Sequence, residues 1–399
     1  RFKVKICLLS YDGTPTTVFA TDMSTGGLNI TMHNLASQLS KRQFKQEVVV
    51  VCRMDRPRQS STTSYQTMML EAGSTQKLSR AELEKVLPEF VEKVAQYLTG
   101  NHMGIVHTCG SEAGIVMSIL RKRGLTTPWV HANFATLAVR RVMVKGMTQA
   151  KALADEIGQR ELACAHECDH ILAASEVDKQ ETSDVFSVSL NKITTASPGV
   201  DKSIFRVHDD SSTREPSIIS AGRMSKSKDF PFLLRTFRYV VDMLGEESTV
   251  KLCIIGGHRT ERDAIGLPTI ATELGITSRL TFLDGMSHSE LAKHFRKAKV
   301  FAGVSIHETF GLLPVEARAC GTPFVVRANS SYLATAENGY GGFFTDNNDE
   351  IAMADRIVQI LNLSENEWQQ MSKKATESAL QYDWSTMAQV CSRVYRQLV

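Results

Sequence analysis

The segment that decides the fold is SIHETFGLLPVEARACGTP, residues 305–323. It follows an apolar run, Val300–Val304, that predicts a buried strand, and it continues as a helical pattern. Glu308 and Glu316 stand on either side of the Phe310-Gly311-Leu312 turn. We expect both carboxylates to face one crevice, into which the start of the helix points backbone N–H groups. Carboxylates for hydroxyls, beside N–H groups for an anion, suit a sugar joined to a diphosphate.

The rest of the chain repeats this alternation of short apolar runs and longer amphipathic segments. Such an alternation predicts an α/β fold of parallel sheets with helices on both faces. We predict strands over Val4–Ser10, Glu47–Cys52, Ile105–Thr108, Trp129–Ala132, His170–Ala174, Ile218–Ala221, Val250–Ile255, Leu280–Leu283, Val300–Val304 and Pro323–Arg327. The predicted helices include residues 29–40, 79–99, 290–297 and 384–399.

A polar stretch without a strand divides these elements into two groups. It begins near residues 197–201 and continues to about residue 216. Its composition is typical of a linker between domains. We therefore predict one α/β domain over residues 1–198, a second over residues 199–380, and a final helical segment over residues 381–399.

The composition is typical of a soluble globular protein. The 399 residues are 42% hydrophobic and 22% charged, and a net charge of +3 indicates neither nucleic acid nor a charged membrane as a partner. No apolar run reaches the roughly 18 residues of a membrane span. The N-terminal residues predict a buried strand rather than a signal peptide. The eight cysteines are scattered without a Cys-x-x-Cys pair, which favours a reducing, cytoplasmic setting.

One group of side chains has the chemistry of a metal site. Cys164, His166, Cys168 and His170 are close in sequence, and positions 164 and 168 can share a helix face. We favour the alternative, in which both cysteines pack on the apolar side of a helix and His170 leads into a strand. The H-E-x-x-H, Asp-x-Asp and G-x-S-x-G patterns are missing, which argues against zinc peptidases, metal-anchored sugar transfer and serine hydrolases. We predict no bound metal.

Further candidate groups lie in turns that follow strands. Arg223 and Lys228 follow the first strand of the second domain, at the sheet edge where anionic ligands bind; a solvated basic loop is the alternative. Gly26 and Gly27 precede a helix and allow close backbone approach to a ligand, although many turns use glycine. His131 ends a strand, at an edge that we expect to face a cleft between the domains. A buried histidine with satisfied hydrogen bonds is the alternative there.

Together these residues resemble the GT-B glycosyltransferases of the large retaining family 4, over nearly the whole chain. The E-x7-E segment from Glu308 to Glu316, with the turn at residues 319–323, is the most specific part. The start at residues 26–29 resembles the branch that contains sucrose-phosphate synthases, inositol-phosphate glycosyltransferases of the mycothiol pathway and 2-deoxystreptamine glycosyltransferases of aminoglycoside biosynthesis. The resemblance implies two Rossmann-like domains that face a cleft, with a C-terminal helix that crosses back to the N-terminal domain.

The resemblance also implies roles for the residues of the second domain. Arg223 and Lys228 would hold the diphosphate, Glu316 the ribose hydroxyls, and Glu308 the donor sugar. The Phe310-Gly311-Leu312 turn would cradle phosphate and sugar with its N–H groups. Met286 lies in the loop whose backbone binds the base in this family. Of the first domain, Gly26 and Gly27 would approach the diphosphate, and His131 matches the family histidine near the donor sugar. We expect the catalytic groups to be His131, Glu308, Arg223 and Lys228.

The candidate acceptor site lies in the first domain and departs from the inositol-phosphate enzymes. Asn29 and Arg80 match acceptor-binding positions, and Arg80 replaces a phosphate-binding lysine. Glu156 stands where those enzymes carry a phosphate-binding arginine, and Glu112 adds a second carboxylate. Because carboxylates favour a cationic partner, one hypothesis is an amine-bearing acceptor such as an aminocyclitol. The alternatives are a phosphorylated polyol or sugar as acceptor, with Glu112 and Glu156 as ordinary surface acids.

The predicted activity is retaining transfer of a glucosyl or N-acetylglucosaminyl group from a nucleotide-diphosphate sugar. UDP-glucose or UDP-N-acetylglucosamine is the donor expected from the branch, and no other cofactor is expected. The partners are then the donor and a small polar acceptor, and the chain is a monomer or a homodimer. A sugar-nucleotide-binding subunit without catalysis is the alternative from another class. The intact set of Glu308, Glu316, Arg223 and Lys228 argues against that alternative.

Overall fold

The computed structural model describes residues 4–11, 27–44, 46–55, 63–76, 78–132, 148, 151, 155–208, 214–346 and 348–399. The described residues form two compact units. The first contains residues up to Pro198 together with Trp384–Val399, and the second is Gly199–Asp383. Each unit is built around one parallel sheet.

The strands of the first sheet are β1 (Val4–Leu9), β2 (Gln46–Arg53), β3 (Gln66–Leu70), β4 (Ile105–Cys109), β5 (Trp129–Ala132), β6 (His170–Ala173) and β7 (Ile193–Thr195). The strands of the second sheet are β8 (Glu215–Ala221), β9 (Lys251–Ile255), β10 (Leu280–Leu283), β11 (Ala298–Gly303), β12 (Phe324–Arg327) and β13 (Gly342–Thr345).

The α-helices of the first unit are α1 (Gly27–Leu39), α2 (Arg80–Gly100), α3 (Ser111–Lys122), α4 (Glu156–Glu167), α5 (Glu176–Phe186) and α14 (Trp384–Leu398). Those of the second unit are α6 (Phe230–Leu244), α7 (Arg259–Ala264), α8 (Leu267–Glu273), α9 (His288–Lys297), α10 (Leu312–Ala319), α11 (Ser330–Thr335), α12 (Glu350–Leu361) and α13 (Glu365–Ala379).

The first sheet has the strand order β3-β2-β1-β4-β5-β6-β7, with every neighbouring pair parallel. Strands β1 and β4 are buried on both faces, as expected for a parallel sheet between helix layers. The chain order reverses between β1 and β4. The loops that follow these strands therefore diverge at their C-terminal ends, where open α/β sheets bind ligands.

The last helix, α14, belongs to the first unit although it follows the second unit in sequence. It packs on α1, and the buried Tyr395 hydroxyl hydrogen-bonds Nδ1 of His107 on β4 at 2.7 Å. Gln46 of β2 donates a second buried hydrogen bond to Ser392 at 2.9 Å. Buried hydrogen bonds of this kind fix the register of a helix against a sheet, because a shift would leave their polar atoms unsatisfied.

The second sheet has the order β10-β9-β8-β11-β12-β13, and it too is parallel throughout. Its order reverses between β8 and β11, so the turn after Ala221 and the turn after Gly303 meet at the C-terminal edge. The helices on both faces close over a core that includes Leu233, Phe237 and Ile357.

The predicted fold class is confirmed for each unit, and α14 lies in the first unit as the resemblance implies. Ten predicted strands are present, with ends that shift by up to three residues. Three strands escaped prediction: β3, β7 and β13. None of the helices in the described part of the chain has the length and apolar character that crossing a bilayer requires.

Candidate active site

The turn after β8 carries the two predicted cations. Its three residues Lys226–Lys228 form a 3-10 helix, and Asp229, the residue directly before α6, has a φ of 44°. The stem of Lys228 lies against Gly222, where an added Cβ would be 3.3 Å from Cδ of the lysine. Glycine at position 222 therefore leaves room for the Lys228 side chain. Arg223 is exposed, and among the described residues no ion pair holds its guanidinium.

Lys228 forms an ion pair with Glu308. The two side chains are only 15% and 19% exposed, and the Ser305 hydroxyl also hydrogen-bonds Glu308. Burial alone raises the pKa of Glu308, but the charge of Lys228 and hydrogen bonds from Lys228 and Ser305 outweigh it, so the pKa is lowered. Glu308 is therefore ionised at neutral pH. A backbone hydrogen bond of 2.8 Å from Ile306 N to Ser227 O joins the two turns.

Gly311 lets the chain turn from Glu308 into α10. Its φ is 84°, and an added Cβ would lie 2.6 Å from Cε1 of the buried Tyr332 ring. Glycine is required there both by the backbone and by this close approach. The Phe310 ring is buried and packs edge-on against Tyr382, with ring centroids 5.2 Å apart. That placement leaves the backbone of Phe310 as its candidate donor-binding group, beside the N–H groups of Gly311 and Leu312 at the helix start.

Glu316, on α10, differs sharply from Glu308. It is 4% exposed, and its carboxyl has no hydrogen bond or cation among the described residues. Burial, helped by the negative charge of Asp201, raises its pKa to about 8. Two carboxyls near one turn thus have opposite pKa shifts, an arrangement that is typical of functional sites. Asp201 belongs to the 197–201 turn, and its effect on Glu316 escaped sequence reasoning.

Two more turns complete this edge of the second sheet. Gly256, after β9, has a φ of 134°, and an added Cβ would lie 2.0 Å from the carbonyl oxygen of Gly222. The paired glycines at 256–257 were a visible sequence signal for this contact. Met286 is half-buried in the loop before α9. The described loop is fixed at Asp284 by an ion pair of 2.8 Å with the buried Arg262.

In the first unit, His131 is fully buried on β5. Its Nδ1 lies 2.7 Å from the hydroxyl of Thr108, and the same hydroxyl accepts a hydrogen bond of 2.7 Å from Trp129 Nε1. Gly114 of α3 faces the ring, because an added Cβ would lie 2.7 Å from His131 Cε1 and 2.7 Å from Cys164 Sγ. Neighbouring strands and a glycine on the covering helix therefore fix the imidazole in one orientation.

We predict that Gly114→Ala displaces the His131 ring. The rate of sugar transfer should fall sharply, while the free energy of unfolding falls only moderately. Overpacking of this kind costs about 1–3 kcal/mol, and a small misplacement of an active group can cost up to roughly 100-fold in rate. Thermal unfolding and initial transfer rates measure the two effects. Gly100→Ala is the matched control, since an added Cβ at Gly100 meets nothing within 4 Å. An unchanged rate in Gly114→Ala would argue against a role for His131.

The predicted acceptor residues lie at the starts of different helices of the first unit. Asn29 lies in the first turn of α1, after Gly27, whereas Gly26 lies outside the described residues. Arg80 is the first residue of α2, and its side chain also lies outside the described part. Glu112 is half-buried in the first turn of α3.

Glu156 begins α4 and is 78% exposed, paired with Arg160 at 2.6 Å. Arg160 also binds both carboxylate oxygens of Glu84 on α2, at 2.8 and 2.9 Å. The two acids and one arginine form a cluster with a net negative charge.

The cysteine and histidine side chains at 164–170 are buried or hydrogen-bonded within the protein. Cys164 and Cys168 are buried, and burial raises the pKa of both thiols, that of Cys168 to about 12. Nε2 of His166 pairs with the carbonyl of Phe186 at 2.8 Å, and Nε2 of His170 pairs with Thr194 Oγ1 at 2.9 Å. Within the described ranges no cluster of three or more such side chains is arranged to hold a metal ion.

Two family models match the chain, one for each half. The model of Glycosyl transferases group 1 matches residues 201–378, and the model of Glycosyltransferase Family 4 matches residues 25–204. The chain belongs to glycosyltransferase family 4. It is a glycosyltransferase that acts on sugar nucleotides, and the expected family resemblance is confirmed.

Similar proteins of this family include two D-inositol 3-phosphate glycosyltransferases. The Corynebacterium jeikeium protein is 25% identical over 94% of this chain and 92% of its own length. The Mycobacterium leprae protein is 26% identical over 94% of this chain and 89% of its own length.

Solved structures resemble the whole chain in fold. Sucrose-phosphate synthase from Thermosynechococcus elongatus has a TM-score of 0.85 at 24% identity, covering 99% of both chains. The Anabaena protein HepE, in complex with UDP and glucose, has a TM-score of 0.75 at 15% identity, covering 99% of this chain and 100% of its own. At these identities the likeness establishes the GT-B fold.

Proposed function

We propose that this enzyme transfers a hexosyl group from a UDP-sugar to a small polyhydroxyl acceptor and retains the anomeric configuration. The observation that carries the proposal is the Gly311 turn. An ionised Glu308 paired with Lys228 lies on one side of it, and on the other lies a buried Glu316 that has no partner among the described residues. A ligand with both an anionic part and hydroxyl groups complements this set of charges.

The proposed chemistry follows from where charge develops. Breaking the bond between sugar and phosphate builds negative charge on the leaving diphosphate. Lys228, the exposed Arg223 and the N–H groups at Gly311 and Leu312 would stabilise that charge, with the dipole of α10 behind them. Glu316 would accept hydrogen bonds from the ribose hydroxyls. His131 and Glu308 would act at the donor sugar.

Retention is proposed through attack from the face that the diphosphate leaves. A double displacement would need a carboxylate that is available to attack the anomeric carbon. Glu308 is held instead by Lys228 and Ser305, which favours a role in binding the sugar hydroxyls. The leaving phosphate would then take the proton of the acceptor hydroxyl.

UDP is proposed as the nucleotide because similar solved structures contain it. HepE was solved with UDP-glucose, and an Escherichia coli protein of similar fold with UDP-2-fluoro glucose.

For the acceptor, two classes have support. The negative cluster of Glu84, Glu156 and Arg160 favours an amine-bearing cyclitol. The names of the inositol-phosphate relatives favour a phosphorylated polyol instead.

A panel of donors and acceptors tests the proposal. UDP-, GDP- and ADP-sugars would each be offered with 2-deoxystreptamine, inositol phosphate and fructose phosphate, and products identified by mass spectrometry. The NMR coupling of the anomeric proton in the product reports retention or inversion. Transfer to phosphorylated acceptors alone would end the amine hypothesis. If UDP binds by calorimetry but no sugar is transferred in any combination, the chain is a binding subunit and the proposal fails.

A further inference from the structure

Arg327 is a buried arginine that is not part of any family motif identified in the sequence. It is the last residue of β12 and is 3% exposed, and its guanidinium lies 3.9 Å over the ring of Phe232. Its Nη1 donates to Asp229 Oδ2 at 2.7 Å and to the carbonyl oxygen of Val304 at 2.8 Å. One nitrogen thus joins two turns that are far apart in sequence.

The first of these turns carries Lys228. Asp229 follows it directly and has a φ of 44°, a left-handed conformation that is uncommon for residues other than glycine. The Asp229 side chain makes no capping hydrogen bond to α6; it pairs with Arg327 instead. Because Asp229 is the residue directly after Lys228, the Arg327–Asp229 pair holds the backbone next to the lysine.

The second turn carries Glu308. Val304 directly follows β11, and the chain then runs through Ser305 to Glu308. Two residues after Arg327, Asn329 donates a buried hydrogen bond of 2.7 Å to the carbonyl oxygen of Ser305. Arg327 and Asn329 therefore hold the backbone of this turn at two consecutive carbonyl groups.

We propose that Arg327 is a positioning residue that sets the geometry between Lys228 and Glu308 from behind the donor site. This proposal rests on the donor-binding role of that pair given above. Arginine suits the task because its planar fork holds several acceptors at fixed angles while its face stacks on an aromatic ring. A lysine has a single flexible ammonium and would reproduce the geometry only in part.

The expected result is a loss of turnover larger than the loss of donor binding. Arg327→Met removes both contacts, and we expect kcat to fall by about 100-fold, the cost of a misplacement near 1 Å. The KM for the donor should change by less than about 5-fold, because most ground-state contacts remain. Arg327→Lys should recover part of the lost kcat.

Variants of Asp229 test the same contact from the other side. Asp229→Asn keeps an oxygen for Arg327 and tolerates the left-handed backbone, so it should stay within about 5-fold of wild-type kcat. Asp229→Ala keeps neither property and should lose about as much kcat as Arg327→Met. These variants also keep the proposal testable if Arg327→Met fails to fold.

Arg214→Met is the matched control for simple destabilisation. Arg214 also binds carbonyl oxygens, those of Phe295, Ala298 and Cys320, and stacks on Trp368 at 4.7 Å. None of its contacts with described residues is to either of the two turns. The melting temperature of the Arg214→Met variant should fall as much as that of Arg327→Met, while its kcat changes little. Equal loss of kcat in both variants, or wild-type kcat in Arg327→Met and Asp229→Ala, would overturn the proposal. Wild-type turnover in Lys228→Ala would instead overturn the donor site itself.

Discussion

Replacing Lys228 with alanine is expected to remove nearly all sugar transfer while the chain still folds. Lys228 supplies a fixed positive charge where the proposed leaving diphosphate becomes negative. Loss of one such group typically costs about 2.7–4 kcal/mol of transition-state stabilisation, or roughly 100- to 1,000-fold in rate. The ion pair with Glu308 places the ammonium in a partly desolvated position, where its interaction with charge is stronger than in bulk water.

Folding should survive this substitution because Glu308 can change its protonation state. Without Lys228, burial dominates and the pKa of Glu308 rises, so the carboxyl can take up a proton instead of remaining an unpaired charge. In the wild type the pKa of Glu308 is lowered. Its stabilising contribution is therefore present above the pKa of the unfolded chain and is lost as the pH falls through the folded pKa. In Lys228→Ala the contribution of Glu308 to the free energy of unfolding, which the wild type loses as the pH falls, should be missing at every pH.

Lys226→Ala provides the matched control for this experiment. Lys226 is exposed in the same 3-10 helix, and no ion pair holds it within the described residues. The control should keep wild-type transfer, whereas Lys228→Ala should lose it with circular dichroism unchanged. Near-wild-type turnover in Lys228→Ala would exclude a diphosphate-binding role for the lysine.

The strands that sequence reasoning missed share a position in the fold. β3 and β7 are the two edges of the first sheet, and β13 is an edge of the second. Edge strands are short and partly exposed, so they lack the continuous apolar run that marked β1 or β11. β3 (QTMML) is half-buried or exposed along its whole length, and β7 has only three residues. Central strands were predictable because burial on both faces requires apolar residues throughout.

The candidate site was predictable in its parts but not in its couplings. The spacing from Glu308 to Glu316 and the glycine between them were visible in the sequence, because a turn into a helix needs them locally. The pairing of Lys228 with Glu308 joins residues 80 positions apart. The clamp of Arg327 on Asp229 joins residues 98 positions apart. Such contacts depend on the order of strands in the sheet, which a local pattern does not specify.

Replacing Glu316 with glutamine is expected to lower transfer by about 100-fold or more and to raise stability at alkaline pH. Two hydroxyl groups that donate to a carboxylate contribute about 1.5–3 kcal/mol each, and a neutral amide retains only part of this. The pKa of Glu316 is raised to about 8, against 4.5 for an ordinary glutamate. Between these two pH values the folded chain keeps a proton that the unfolded chain has lost, so wild-type stability falls as the pH rises. Glutamine removes this penalty, which the shift from 4.5 to about 8 puts at roughly 5 kcal/mol near pH 9.

The same carboxyl is expected to release a proton when a nucleotide binds. The proposed hydrogen bonds from ribose hydroxyls would stabilise the ionised form of Glu316, so binding of UDP near pH 7 should shift its pKa down. Calorimetry in buffers of different ionisation enthalpy measures this release directly, and Glu316→Gln should show none of it. The carboxyl must ionise in order to accept both hydroxyls, so the affinity of the wild type for UDP should rise between about pH 6 and pH 8. If proton release on UDP binding is equal in the wild type and in Glu316→Gln, the ribose contact is at another residue, because the buried carboxyl would then titrate independently of the ligand.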